Sequence, residues 1–195
     1  LYLANLGSID LHPWLSREPD LDQPDWCVLD IDPKEAPFTD VIKVTRAVGK
    51  VLHAVELEFG LKTSGSTGMH LFVPVKRGYG YEHVRTFCEG VARIVAKNHP
   101  GIATVERKPA RRGGKVYIDF LQNGKGQTVV PPYVVRPVPG GRVSTPIEWD
   151  ELDERLDHAR FTMVTVPDRI ARVGDLFRPL LGLQQDLLPA IAKLQ

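Results

Sequence analysis

A chain of 195 residues, 43% hydrophobic and 25% charged, has the make-up of an ordinary globular protein with room for one sizeable core, and it contains no repeat or low-complexity tract. Lys plus Arg number 25 against 24 Asp plus Glu, a formal charge of +1, so no global field demands a polyanionic partner and any such affinity must be local. Cys27 and Cys88 stand alone without CxxC spacing, and no apolar run reaches the length of a membrane span, which points to reduced thiols in a cytosolic chain with no signal sequence and no membrane partner.

Residues 1 to 25 carry Pro13, Pro19 and Pro24, which exclude a long helix, and His12-Pro13-Trp14, which taken alone reads as packing. The next stretch, WCVLDIDP, is a strand. Side chains alternate faces along a strand, so Asp30 and Asp32 project from one side. Two carboxylates that close repel unless a cation lies between them, and a divalent ion bound by oxygens meets that need. A helix-capping aspartate beside a solvated one is the bland alternative, because Asp-Pro commonly marks a boundary. Thr39 or Asp40 then caps a helix in which Val41, Val44, Val48, Val51, Leu52, Val55 and Phe59 recur at helical spacing, closed by Gly60.

Lys62 to Val75, KTSGSTGMHLFVPV, joins a hydroxyl- and glycine-rich loop to a strand. Freed backbone N–H groups and hydroxyls of this kind cradle phosphate oxygens, although the Gly-Lys-Ser/Thr ending of a Walker A loop is missing. The simpler alternative is a Gly/Ser hairpin. On the strand, His70 and Phe72 share one face while Met69, Leu71 and Val73 take the other. A packing helix is expected over Tyr81 to Asn98. Arg107, Lys108, Arg111, Arg112 and Lys115 follow in one loop, either a solvated surface or a track for a nucleic-acid backbone.

In the strand Lys115 to Leu121, Asp119 shares a face with Tyr117 and would be costly to bury unpartnered; a third ligand for the Asp30/Asp32 cation would explain it. Gln122, Asn123 and Gln127 follow near the same strand end, then a Pro-rich turn and a short strand ending at Arg136. Thr145-Pro146-Ile147-Glu148 has the form of a capping box, so a helix is predicted to start there and run through Trp149 and Leu152. Residues 157 to 195 read as a helical tail without chemistry. The whole is expected to be one α+β domain with a mixed or antiparallel sheet flanked by helices.

The ordered motifs H-P-W, D-x-D-P, K-T-S-G-x-x-G-x-H, an aspartate-bearing strand followed by Q-N, P-Y-x-V-R and T-P-x-x-W-D-E-L resemble the polymerase domain of bacterial DNA ligase D, in the archaeo-eukaryotic primase superfamily. The resemblance runs from about Leu1 to Leu156. It implies a primase-polymerase catalytic core and a nucleotidyltransferase that extends DNA primers or ends with NTPs or dNTPs, favouring ribonucleotides, in non-homologous end joining with Ku and a ligase domain. Its implied cofactor is Mn2+ or Mg2+ in a two-metal site held by Asp30, Asp32 and Asp119. Catalysis would also need His12, with Ser64, His70 and Arg136 on the triphosphate and Lys62 and Gln127 beside them. The sequence departs from the family at Val134, usually Ser, and at Pro137, often Ala. Beginning without Met and almost at H-P-W, it reads as a domain missing its amino-terminal portion. A primase making RNA primers and a catalytically idle DNA-binding module are the rival readings; primer dependence and loss of activity on substituting Asp30 separate them.

Overall fold

The computed structural model describes residues 2–194. A short helix α1 (Tyr2–Asn5) leads to a two-stranded ribbon, β1 (Ser16–Arg17) with β2 (Asp20–Pro24). The main sheet is built from β3 (Trp26–Asp32), β4 (Gly60–Thr63), β5 (Met69–Pro74), β6 (Ala103–Thr104), β7 (Val116–Asp119) and β8 (Pro146–Ile147). Its order is β6-β7-β3-β5-β4-β8; β6 and β7 are parallel and every other pair is antiparallel. The α+β class and the mixed sheet are therefore as the sequence led one to expect.

Two long helices cover one face. In α2 (Phe38–Ala54) the buried Val41, Val44, Val48 and Leu52 form the apolar stripe, and in α3 (Tyr81–Asn98) Val84, Phe87, Val91 and Val95 do the same. Beneath them lie Cys27, Leu29 and Ile31 of β3, Met69, Leu71 and Val73 of β5 and Ile118 of β7, the inward set of each strand. Alternation then sends the other set to the opposite face, where Val28 and Phe72 meet a smaller cluster with Phe177 and Leu180. Among the described residues, no helix is long and apolar enough to cross a membrane.

The tail holds α4 (Val166–Val173) and α5 (Leu187–Lys193), with a 3-10 segment at Arg178–Gly182 between them. Asp186 caps α5 through Leu188 N–H and pairs with Lys76 and the Tyr79 hydroxyl; Lys76 first, then Tyr79, hold its carboxyl down at about 2. The unfolded chain takes up that proton near the ordinary value of about 3.9, so the contribution is whole above it and disappears as pH falls toward about 2. Asp186→Asn keeps a capping oxygen and loses the charge. Its urea midpoint should lie below the parent's near neutrality and converge on it in acid.

The predicted helix from Thr145 does not form. Pro146–Ile147 instead pairs with β4, Thr145 N–H donates to Thr63 Oγ1 at 3.0 Å, and Thr63 N–H donates to the Thr145 carbonyl at 2.9 Å. Strand pairing across the sheet outweighs the local cap. The capping box falls three residues later, on Glu148 and Glu151, and starts only the 3-10 turn Trp149–Glu151. The strand expected to end at Arg136 is reduced to a single bridge between Val135 and Val143.

Candidate active site

The sheet register builds the site. Asp119 of β7 lies opposite Asp30 of β3, Asp30 opposite His70 of β5, and His70 opposite Lys62 of β4. Directly paired residues share a face, so these four side chains form one polar row across the face away from the long helices. Asp32, two residues beyond Asp30, pairs with Tyr117 and extends the acidic end.

Above this row is a cavity of about 250 Å³ lined by His12, Asp30, Asp32, Ser64, His70 and Arg136, together with the Ser66–Gly68 loop and Gln122. The loop owes its shape to Ser64, whose Oγ accepts from Ser66 and Gly68 N–H at 3.0 Å each, leaving its own hydrogen to donate. Gly65 has φ +72, and a Cβ there would come within 2.6 Å of Arg136 Cγ and 2.7 Å of Ser144 N. At Gly68 a Cβ would lie 2.3 Å from the carbonyl oxygen of Ile31, the residue between Asp30 and Asp32. Gly68→Ala should therefore cost about 3 kcal/mol in a urea titration by prising the loop from β3; a loss of only a few tenths would mean that the loop yields freely.

Arg136 donates to the Ser64 carbonyl at 3.0 Å, and its Nε is 3.0 Å from Asp10 Oδ1, an ion pair whose angle leaves Nε without a directed hydrogen bond. Asp10 also meets His12 Nε2 at 2.9 Å, so one acid orients two cavity residues. His70 Nε2 stands 3.3 Å from Asp30 Oδ1. Burial, and next the charge of Lys62, push the His70 pKa below its usual value, keeping the ring neutral at pH 7. Lys62 has no exposed surface and lies behind His70 rather than in the cavity; burial drives its pKa well down.

Asp119 faces a second cavity of about 560 Å³ with Arg107, Arg112, Lys125 and Gln127, and Gln122 lines both cavities. Gln127 is thus beside the neighbouring cavity, not the one containing Ser64 and His70. The Asp119 carboxylate accepts from Leu121 N–H at 2.8 Å, the Tyr117 hydroxyl at 3.2 Å and Gln122 Nε2 at 3.3 Å. Burial raises its pKa, Leu121 N–H opposes that, and the nearby Asp30 charge raises it further.

The basic loop divides. Arg107, Lys108 and Arg111 are exposed and Lys115 is half-buried, whereas Arg112 turns inward, 8% exposed. Its guanidinium lies 3.9 Å from the Tyr117 ring centre and donates to Asp32 Oδ2 at 3.0 Å and to the Glu106 and Arg107 carbonyls. Arg112 is therefore a partner of the acidic row rather than part of a solvated basic surface.

Among the described residues, no three His, Cys, Asp or Glu side chains stand grouped to hold a metal ion. The physical reason is visible: Arg112 occupies Asp32, and Tyr117, Leu121 and Gln122 occupy Asp119. The donor set still suits a hard divalent cation, being carboxylate oxygens on adjacent strands and one face.

A mixed sheet with helices on one face and an acidic row beside a hydroxyl loop on the other is the framework of a primase-polymerase. Residues 1–177 match the family described as LigD, primase-polymerase domain, and the chain belongs to that family of polymerase-type nucleotidyltransferases. The chain is 34% identical over 168 residues to the multifunctional non-homologous end joining protein LigD of Pseudomonas aeruginosa, covering 86% of this chain and 20% of that protein. It is 31% identical over 177 residues to the bifunctional LigD of Bacillus subtilis, covering 89% and 29%. The chain thus spans less than a third of the length of these relatives. The polymerase domain from Mycobacterium tuberculosis ligase D, solved in complex with DNA, superposes with a TM-score of 0.83 at 28% identity, covering 92% of this chain and 65% of that one.

Proposed function

We propose that this domain adds nucleotides to the 3' end of a DNA primer, with ribonucleotides favoured, during bacterial end joining alongside Ku and a ligase domain. The observation that carries this reading is the register that sets Asp30 between His70 and Asp119, with Asp30, Asp32 and His70 lining one cavity together with Ser64 and Arg136 and Asp119 lining the adjoining one. Acids for cations and donors for phosphates then face each other across the space a nucleotide would fill.

In the reaction the primer 3'-oxygen forms a bond to the α-phosphorus, the α–β phosphoanhydride breaks, and pyrophosphate leaves with the electron pair. The Ser64 hydroxyl, His70 Nε2–H and the Arg136 guanidinium donate to phosphate oxygens, most strongly as charge builds on the leaving group. His12, held by Asp10, borders the same space and can take up the proton of the 3'-hydroxyl. Asp30, Asp32 and Asp119 would hold Mn2+ or Mg2+. When bound, two such ions lower the pKa of the 3'-hydroxyl and neutralise charge on the phosphates. Arg112 must release Asp32 for the acids to converge.

Arg107 lines the cavity on the Asp119 side, and with the exposed Lys108 and Arg111 of the same loop it suits the DNA backbone. Replacing all three by Ala should reduce the log–log salt slope of single-strand binding by about 2, at roughly 0.7 per phosphate contact; an unchanged slope would take the strand elsewhere. The activity itself is tested by labelled-nucleotide addition to a primed template with Mn2+ or Mg2+. Incorporation that needs the primer 3'-hydroxyl and prefers ribonucleotides is expected. Synthesis on unprimed strands, or none with either ion, would contradict the proposal.

A further inference from the structure

Among the described residues Lys62 is the largest fully buried side chain, and none of their carboxylates contacts its Nζ. Its neighbours are Ser144 Oγ at 2.5 Å, His70 Nδ1 at 2.9 Å and the Thr63 carbonyl at 3.4 Å, with the Phe72 ring centre 5.4 Å away. A lysine costs much to bury, and the nucleotide cavity excludes it. Its position in the polar row nevertheless gives it one neighbour with chemistry, the ring of His70.

The polarity of that contact follows from the far side of the ring. His70 Nε2 is 3.3 Å from Asp30 Oδ1, and a bare ring nitrogen that close to a carboxylate is repelled, so the hydrogen of the neutral imidazole belongs on Nε2. Nδ1 is then bare and must accept from Nζ. Ser144 Oγ cannot compete, because it donates to the Thr63 carbonyl at 3.2 Å and accepts from Nζ. The direction Lys62 to His70 to Asp30 holds whether Nζ carries three hydrogens or two.

We propose that Lys62 is a positioning residue that fixes which nitrogen of the His70 ring carries hydrogen, so that Nε2–H faces the cavity as a donor for a phosphate oxygen. The consequence for phosphate rests on the nucleotide reading of the cavity; the state of the ring does not. A ring with hydrogen on Nδ1 would turn a lone pair toward the phosphates, replacing attraction by repulsion.

The test is two-part. Nitrogen-15 ring spectra of the intact protein should show an imine-type Nδ1 and a hydrogen-bearing Nε2 at His70, and Lys62→Met should populate the other tautomer while the fold, followed by melting, is kept. ATP affinity should fall about tenfold in Lys62→Met, the size of one lost hydrogen bond, and Lys62→Met with His70→Ala should be no weaker than His70→Ala alone. Hydrogen on Nδ1 in the parent protein, an unaltered ring in Lys62→Met, or independent additive losses would each overturn the proposal. The parent spectrum decides the ring even if Lys62→Met does not fold. A parent that binds no ATP would overturn the nucleotide reading, and with it the phosphate role of the ring, while the spectra still decide what Lys62 does.

Discussion

Asp30→Asn should lower primer extension by roughly a thousandfold or more while leaving the protein as stable as the parent. The side chain keeps its shape and loses only its charge, at the position where β7, β3 and β5 bring three functional groups into line. In the proposed reaction Asp30 would be a ligand for the cations that neutralise the phosphates, and the substitution would remove it. Stability should hold, because the repulsion of Asp119 that the substitution relieves offsets the attraction for Lys62 and His70 that it forfeits. Matched assays of incorporation and urea unfolding separate the two effects. Activity within tenfold of the parent would remove Asp30 from the chemistry, and a large loss of stability would make it a structural residue.

Asn123→Ala should destabilise the protein by about 3 kcal/mol or more, lowering the melting midpoint by about 6 to 12 °C for a chain of this size. Asn123 is fully buried. Its Oδ1 accepts from Val28 N–H at 2.8 Å, and its Nδ2 donates to the Val28 carbonyl at 2.7 Å and the Phe120 carbonyl at 2.8 Å. β7 stops at Asp119 and turns into a 3-10 segment, Leu121–Asn123, so Val28, opposite Phe72 of β5 on one side, has no strand beside it on the other. The amide side chain substitutes for the missing strand. Truncation leaves the buried N–H and carbonyl of Val28 unpartnered, each at about 1 to 3 kcal/mol before relaxation, while the Phe120 carbonyl keeps the backbone N–H of residue 123 at 3.2 Å. Because Val28 is two residues from Asp30, the acidic row should lose order as well. A destabilisation under 1 kcal/mol would show that water or a backbone shift replaces the amide.

The parity of the strands was legible in the sequence, and parity decides much of the site. Asp30 with Asp32, His70 with Phe72 and Asp119 with Tyr117 could each be assigned a face from spacing alone. That those faces would be the same one depends on register between strands far apart in the chain, which spacing does not contain. Arg112 was indistinguishable from Arg111 by composition, yet it is turned inward by contacts with Tyr117, Glu106 and Asp32. Lys62 looked like a charge beside a phosphate loop because its burial depends on β4 lying inside the sheet. Thr145 to Glu148 carried a genuine local helix signal that pairing with β4 overrode. Asp10 had no pattern to mark it; its importance comes from touching both His12 and Arg136.

The most direct test of the central claim is a crystal structure with manganese, a primed DNA end and a non-hydrolysable nucleoside triphosphate, read by anomalous scattering. Manganese peaks among the carboxylates of Asp30, Asp32 and Asp119, with Asp32 released from Arg112 and the triphosphate against Ser64, His70 and Arg136, are the expected result. Manganese bound elsewhere, or a triphosphate seated away from that wall, would contradict the account.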